Sequence, residues 1–313
     1  MGSVFMMRAL KILSVVILAI AVYSLVPVLV LYFQPDPVPY TNEQTAEKLN
    51  ANKGDHFGFV VFGDNHAGLI FNDSATLKLI RNINRENRFT KLPIDLALIP
   101  GDATLGGSSW DYKIFNKIRA AVKWPVISAF GNHDDDRSAQ LFKKNIGSSE
   151  LSFADRNSFF IVVDNGGGDM SDEQFAAFET ELKKSLSYRH RFVVAHKPPM
   201  SPYLLSWYRQ ELNPWSRRFM KLCEQYKVDI VFCGHEHMFK EETFGGVKYI
   251  TSGGGGMLVH FPAYDGGFLH YLVVRVSGDY VDYEVRKVFP PLWEFLTYYM
   301  WKEIFYFVKD VVF

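Results

Sequence analysis

The chain has 313 residues, enough for one large domain or two small ones, and its 48% apolar content predicts a substantial core rather than disorder. Thirty-four basic residues offset thirty-four acidic ones and no dense Lys/Arg cluster is present, which argues against a nucleic-acid-binding surface. Cys223 and Cys233 show neither zinc-knuckle spacing nor a disulfide framework. They read as two small buried side chains, with a single bridge left open if the domain lies in an oxidising compartment.

From Ile12 to Phe33 the sequence carries no charge and is almost wholly apolar. At about 1.5 Å per residue a helix of this run spans the roughly 30 Å of a bilayer core. Arg8 and Lys11 precede it and Asp36, Glu43 and Glu47 follow it, so the positive-inside rule puts the N-terminus in the cytoplasm and the remainder outside. A cleaved signal peptide would have a shorter apolar region ending in small residues, and Val30-Leu31-Tyr32-Phe33 offers no such site. Residues 1–33 are therefore expected to be a cytoplasmic stub and a single-pass transmembrane helix. Residues 34–54, polar and with three prolines, read as a linker.

Over residues 55–289 short apolar runs alternate with helical patterns. Phe57–Phe62, Ile94–Ile99, Val126–Ala129, Phe159–Val163, Phe192–Ala195 and Ile230–Cys233 are rich in Val, Ile and Phe and predict strands. Between them Ser74–Asn87, Ser109–Lys123, Asp172–Leu186 and Pro214–Tyr226 predict helices. Ser171 and Gln174 have capping-box spacing, and Asn213-Pro214 reads as an N-cap with proline in the first turn. Such alternation predicts an α/β core. After His237 only strands are expected, at Val247–Thr251, Phe268–Val276 and Tyr280–Val285, with Ser277-Gly278-Asp279 turning a hairpin into a second sheet.

Residues 290–313 follow Pro290-Pro291 as an aromatic-rich helix. On a helical wheel Trp293, Leu296, Met300, Trp301, Ile304, Phe307, Val308 and Val311 share one face, and Glu294, Lys302, Glu303, Lys309 and Asp310 the other. Two readings stand: a core helix packing its apolar face on the domain, or an interfacial helix whose rings sit at the headgroup level of a membrane.

The residues that carry chemistry fall directly after the apolar runs. Asp64 and His66 follow the first strand, Asp102 the second, and Asn132, His133 and Asp134 the third; His196 follows a later one, and His235 and His237 another. Loops at the carboxyl ends of strands are where open α/β sheets gather their sites. Mixed imidazole and carboxylate ligands suit manganese, iron or zinc rather than calcium or magnesium. Two such ions about 3.5–4 Å apart can share a carboxylate, acidify a bridging water for in-line attack on phosphorus and neutralise the phosphoryl oxygens.

The five blocks Asp-x-His, Gly-Asp, Gly-Asn-His-Asp, a lone His and Gly-His-x-His resemble those of the calcineurin-like metallophosphoesterase superfamily, over about Phe57 to Lys287. The resemblance implies a two-sheet β-sandwich flanked by helices. It implies one metal at Asp64, His66 and His237, a second at Asn132, His196 and His235, and Asp102 bridging both. It further implies His133 as a proton donor approaching the substrate, with Asp134 orienting its ring. Gly101-Asp102-Ala103-Thr104-Leu105-Gly106-Gly107 lacks the Asp-Arg of the Ser/Thr protein phosphatases, and Leu105 and His66 stand where purple acid phosphatases carry Tyr and Gly.

The expectation is a membrane-anchored two-metal phosphoesterase acting on a phosphodiester or phosphomonoester, a lipid among the candidates, outside the cytoplasm. A lipid-linked pyrophosphate hydrolase, a nuclease and a non-catalytic interaction module are the alternatives; neutral charge argues against the nuclease, and the full ligand set against the module. Lys197 and Arg137 read as solvated charges or phosphate ligands, and Phe261, Tyr264 and Tyr203 as core or pocket lining. His56, His190, His260 and His270 match no ligand position.

Overall fold

The computed structural model describes residues 2–88, 92–135, 139–200 and 214–312. In chain order, α1 (Gly2–Phe33) and α2 (Asn42–Leu49) precede β1 (His56–Val61), α3 (Ile70–Ile83), β2 (Ile94–Ile99), α4 (Ser109–Ala121), β3 (Val126–Ser128) and α5 (Gln140–Asn145). There follow β4 (Leu151–Asp155), β5 (Ser158–Val162), α6 (Asp172–Ser185), β6 (His190–Val194), α7 (Pro214–Gln225) and β7 (Ile230–Cys233). The chain then continues with β8 (Phe239–Phe244), β9 (Val247–Ser252), β10 (His270–Ser277), β11 (Tyr280–Lys287), α8 (Leu292–Glu294) and α9 (Met300–Val312).

The strands form two sheets, ordered β11-β10-β1-β2-β3 and β4-β5-β6-β7-β9-β8. β1, β2 and β3 run parallel, as do β5, β6, β7 and β9, while β4, β8, β10 and β11 pair antiparallel with their sequence or sheet neighbours. Alternation along each strand sorts the core into layers. Phe57, Phe59 and Val61 of β1 point between the sheets with Leu96 and Leu98, and meet Phe160, Phe192, Phe232 and Ile250 of the second sheet. The Phe59 ring stands edge-on to Phe160, Phe192 and Phe232 at 5.4, 5.3 and 5.8 Å, which pins the two sheets together. Val60, Ala97 and Ile99 face outward onto α3 and α4, and Ile161, Val193 and Val231 face outward onto α6 and α7. The architecture is thus a two-sheet sandwich with helices outside, as expected. Cys223 and Cys233 are buried and unbridged in the outer layer of the second sheet.

Ser171 and Gln174 close the expected capping box on α6, whereas Asn213 lies outside the described residues. α3 begins at Ile70, four residues before the expected Ser74, with no side-chain cap at its start. Residues 34–54 are not a plain linker. Thr41 and Gln44 form a capping box that starts α2, and the buried Asn42 side chain exchanges hydrogen bonds with the Ser128 carbonyl (2.8 Å) and N–H (3.1 Å). Asn42 thereby supplies β3, an edge strand, with the partner that no further strand provides. Arg119 lies over the Tyr40 ring at 4.2 Å and fastens the same segment from the side of α4.

Among the described residues no helix is long and apolar enough to cross a membrane, so the transmembrane helix expected over residues 12–33 is not shown. What the structure has there is α1, a single continuous helix. Val28 and Leu31 near its end are buried against α3 and α4, while Ile12, Val15, Leu18, Val22 and Tyr23 are exposed.

The C-terminal segment is broken by a π turn at Phe295–Tyr299, and it packs the opposite way from a core helix. Trp301, Ile304, Phe305 and Phe307 are 60%, 45%, 63% and 68% exposed, whereas Glu294 and Lys302 are 2% and 8% exposed. Lys302 donates to the carbonyls of Phe261 and Gly267 at 2.6 and 2.9 Å, and the Glu303 carboxylate accepts from the Ala263 N–H at 3.2 Å. The charged face holds the domain and the aromatic face looks out.

Candidate metal centre

Because β1, β2, β3, β6 and β7 all end on the same side of the sandwich, the loops after them converge. The β1 and β2 loops extend the pairing of their strands: the N–H groups of Asp64, His66 and Ala67 donate to the carbonyls of Gly101, Asp102 and Ala103. The β7 loop closes over the first, the His235 N–H reaching the Asp64 carboxylate at 2.9 and 3.1 Å.

These turns require backbone conformations that side-chain-bearing residues seldom adopt. Asp64, His66, Asp102 and His235 have φ of 63°, 47°, 51° and 68°. Such strain concentrates at functional sites, where surrounding structure holds it in place. Gly101, at φ 87°, lies under the His196 ring, and a Cβ there would sit 2.4 Å from Nδ1. Gly131 plays the same part for Asp102, whose backbone nitrogen would stand 2.2 Å from such a Cβ.

Two groups result. Asp64, His66, Asp102 and His237 place ligand-type atoms within 4.8 Å of one another, and so do Asp102, His196 and His235. Asp102 belongs to both: Oδ2 lies 3.3 Å from His66 Nε2 and Oδ1 3.3 Å from His196 Nε2. His237 Nε2 lies 3.7 Å from Asp64 Oδ1, and Asn132 Oδ1 is 3.0 Å from His196 Nε2, which adds the amide to the second group. All seven expected ligand residues thus gather in one place.

The site fits cations. His66 Nδ1 is buried without a hydrogen-bond partner and Nε2 faces only the shared Asp102 carboxylate at 3.3 Å, which a structural histidine would not tolerate. Burial and the neighbouring imidazoles hold His235 and His237 down to about 4 and about 3, so both rings are neutral and can ligate. His66 is lowered by burial as well. Burial opposes ionisation of Asp102, but His196 and His66 outweigh it and hold the carboxylate ionised, while His196 is raised to about 9 against its own burial by Asp102. Burial and the Asp102 charge raise Asp64. Neutral His66, His235 and His237 imidazoles around one shared, ionised carboxylate make a donor set suited to cations.

His133 and Asp134 part company. His133 is exposed at the rim, its ring 4.5 Å from that of His66, and its Nδ1 is held by the Leu105 carbonyl at 2.8 Å. Asp134 is buried and does not orient that ring. Its carboxylate accepts from the N–H groups of Gly131 (3.0 Å), Thr104 (2.8 Å) and Ala103 (3.3 Å) and from the Thr104 hydroxyl (2.9 Å), tying the β2 and β3 loops together. Adjacent residues in a turn point apart, so sequence adjacency did not imply contact.

Three supporting residues were not anticipated. Asn165, buried after β5, accepts from the N–H groups of His196 and Lys197 through Oδ1 and fixes the β6 loop. Thr104 receives no mention in a ligand motif, yet it is the hub of the Asp134 network. His260 stands 6.0 Å from the His237 ring and is held by Tyr298 Oη at 2.9 Å. A polar pair, Asp164-Asn165, after the predicted strand Phe159–Val163 was the available signal for Asn165; nothing local marked His260. His190 and His270 serve the scaffold, bonding the Gly278 carbonyl and the Phe268 carbonyl respectively, and His56 is exposed beside Asp55. Lys197 is half-buried, and Tyr264 is exposed on the loop that Lys302 holds. Arg137 and Tyr203 lie outside the described residues.

The family model for calcineurin-like phosphoesterases matches residues 57–239, from the start of β1 through the last metal-site loop. The chain belongs to the calcineurin-like phosphoesterase family. As a member it is a metal-dependent phosphoester hydrolase. It is 25% identical over 194 residues, 60% of this chain and 79% of the relative, to a protein of Vesicomyosocius okutanii subsp. Calyptogena okutanii named "Probable cyclic nucleotide phosphodiesterase". It is 24% identical to a protein of the same name from Ruthia magnifica subsp. Calyptogena magnifica, over 53% of this chain and 71% of that one. Among solved structures, the fold is shared with the purple acid phosphatase PPD1 of yellow lupin (TM-score 0.59, 16% identity, 80% of this chain and 52% of that one). It is shared too with GAP50, the anchor in the inner membrane complex of Plasmodium (TM-score 0.57, 14% identity, 75% and 85%).

Proposed function

We infer that this calcineurin-like phosphoesterase is a two-metal phosphodiesterase working at a membrane surface. The observation that carries the chemistry is Asp102, whose two carboxylate oxygens face two separate ligand groups. Asp64, His66 and His237 would hold one ion and Asn132, His196 and His235 the other, with manganese, iron or zinc suited to the donors. When bound, the pair supplies a nucleophile from water and neutralises phosphoryl charge.

The chain's own residues do the rest. The neutral Asn132 amide limits the negative charge that faces an anionic substrate. His133 has its Nδ1–H directed to the Leu105 carbonyl, so Nε2 is the nitrogen that can hold a proton and pass it to a leaving alkoxide. Asp64, His66, Asp102 and His196 are buried and so held in place, while Asn132 and His133 are exposed on the side open to a substrate. The diester preference follows the names of the relatives in Vesicomyosocius and Ruthia. Protein reconstituted with manganese, iron or zinc should turn over cyclic nucleotides or other diesters faster than monoesters or pyrophosphates. The reverse order would overturn it.

Membrane association rests on two surfaces: α1, uncharged from Ile12 to Phe33 with exposed apolar side chains, and the outward aromatic face of α9. The reading places the N-terminus in the cytoplasm and the sandwich outside it, with α1 as an uncleaved anchor. A lipid phosphoester, including a lipid-linked pyrophosphate, is a second substrate reading, favoured by the clamp of α9 on the loop that carries His260 beside His237. Activity confined to soluble substrates would eliminate it.

A further inference from the structure

Away from the metal centre, α3 runs beside α1. Tyr32, at the end of α1, donates to the Asp73 carboxylate at the start of α3, and further along α3 the two helices separate to leave a groove of about 770 Å³. A volume of this size accommodates a substantial part of one small amphiphile. Its lining is mostly apolar: Ala19, Tyr23 and Val26, exposed along α1, the buried Leu77 of α3, and Pro291 and Leu292. Two cations of α3, Lys78 and Arg81, one turn apart, line the same groove.

Neither cation is neutralised there. Lys78 donates to the Pro290 carbonyl at 2.9 Å and lies over the Phe289 ring at 5.4 Å, contacts that orient the ammonium without cancelling its charge. Arg81 is exposed and near enough to Lys78 for the two like charges to repel. The buried Glu294 feels Lys78 electrostatically but makes no salt bridge with it among the described residues. An apolar trough edged by an ammonium and a guanidinium is complementary to a ligand with a hydrocarbon tail and an anionic head, and a planar guanidinium is suited to bidentate contact with a phosphate. The exposed apolar stretch of α1 continues from this trough, so such a ligand would enter it from the bilayer rather than from water.

We propose that the groove between α1 and α3 is a binding site for one anionic glycerophospholipid, its tail along Ala19, Tyr23, Val26 and Leu77 and its phosphate between Lys78 and Arg81. This rests on the membrane-surface reading above. The bound lipid would fix the rotation of the sandwich on α1, and so the direction in which the metal centre faces.

The test uses the full chain purified in detergent, with native mass spectrometry counting retained phosphatidylglycerol or phosphatidylcholine. Wild type should retain one phosphatidylglycerol per chain in preference to phosphatidylcholine. Lys78→Gln/Arg81→Gln keeps a donor for the Pro290 carbonyl and removes two charges, and should weaken phosphatidylglycerol retention about 30-fold. Ala19→Trp, which fills the trough, should lower retention of both lipids. Turnover of a soluble diester should be unchanged in each variant, which shows that they fold. Equal retention of the two lipids by wild type, or undiminished retention by the double variant, would overturn the site. Displacement of the lipid by millimolar inorganic phosphate would do so as well, as would a mass corresponding to a second copy of the chain in place of lipid. Flotation of wild type with phosphatidylcholine vesicles reports the anchor separately: flotation without lipid selectivity defeats only the lipid site, and no flotation defeats the membrane reading itself.

Discussion

The carboxyl-end face of the two sheets and the flank formed by α1, α3 and α9 both bury charge, and they do so to different ends. At the metal centre Asp64, Asp102 and His196 are sealed from solvent with like and unlike charges crowded together, the two carboxylates on backbone turns strained to positive φ. On the flank Asp73, Glu294 and Lys302 are sealed as thoroughly, and two of them join elements: Asp73 to α1, Lys302 to the loop beside the metal centre. The first region concentrates charge where a positive ion can rescue it. The second turns its charges inward and its rings outward, an arrangement that favours an apolar surrounding for the exposed side. This inversion of the usual inside-out pattern is what the proposed membrane association rests on.

The sharpest way to break the comparison is to remove the one carboxylate shared by both ligand groups. Asp102→Asn should lower diester turnover by at least about 1,000-fold and reduce bound metal from two ions per chain to one or none, measured by elemental analysis. Retained wild-type rates would refute the bridging role. His133→Asn should leave metal content intact and lower kcat by about 100-fold. Its defect should shrink for a nitrophenyl ester, whose leaving group needs no proton; an equal loss on acidic and alkoxide leaving groups would exclude His133 as the donor.

The metal centre was legible in the sequence because each ligand block follows a hydrophobic run closely, so Asp64, Asp102, Asn132, His196 and His235 are ordered by the strands that carry them. β1, β2, β6 and β7 were readable for the same reason. β8 was not: Phe239–Phe244 carries Lys240, Glu241 and Glu242 and sits at a sheet edge, where burial imposes no clear alternation. α2 was hidden by the three prolines just before it, although Thr41 and Gln44 announce a capping box. Helical periodicity located the two faces of the C-terminal helix correctly but not which one turns inward. That choice depends on carbonyls of residues 261 and 267, which only the tertiary fold brings to Lys302.

Lys302 tests whether the flank acts on the centre. Replacing it with Met removes the donor from two buried carbonyls and should cost about 2 kcal/mol in urea unfolding. Because the loop it holds carries His260 beside His237, KM should rise several-fold while metal content stays at the wild-type level. An unchanged KM at the lowered stability would confine Lys302 to a structural role and separate the two regions entirely.

The smallest expected effect is the one that reads the flank alone. Burial raises Asp73 to about 7, against the ordinary carboxyl value near 4, and the hydrogen bonds from Tyr32 and Gly68 only partly oppose it. A folded state that holds its proton more tightly than the unfolded chain gains stability as pH falls. The contribution of Asp73 is therefore fully present below about pH 4 and is lost as pH rises through about 7. Asp73→Asn cannot ionise, its amide oxygen can still accept from the Gly68 N–H, and its NH2 group can donate to the Tyr32 hydroxyl oxygen. The difference in melting temperature between variant and wild type should move in favour of the variant between pH 6 and pH 8 and flatten near pH 4. A difference that stays constant over that range would show that Asp73 is already ionised in the fold, with the junction of α1 and α3 then holding a charge like those at the metal centre.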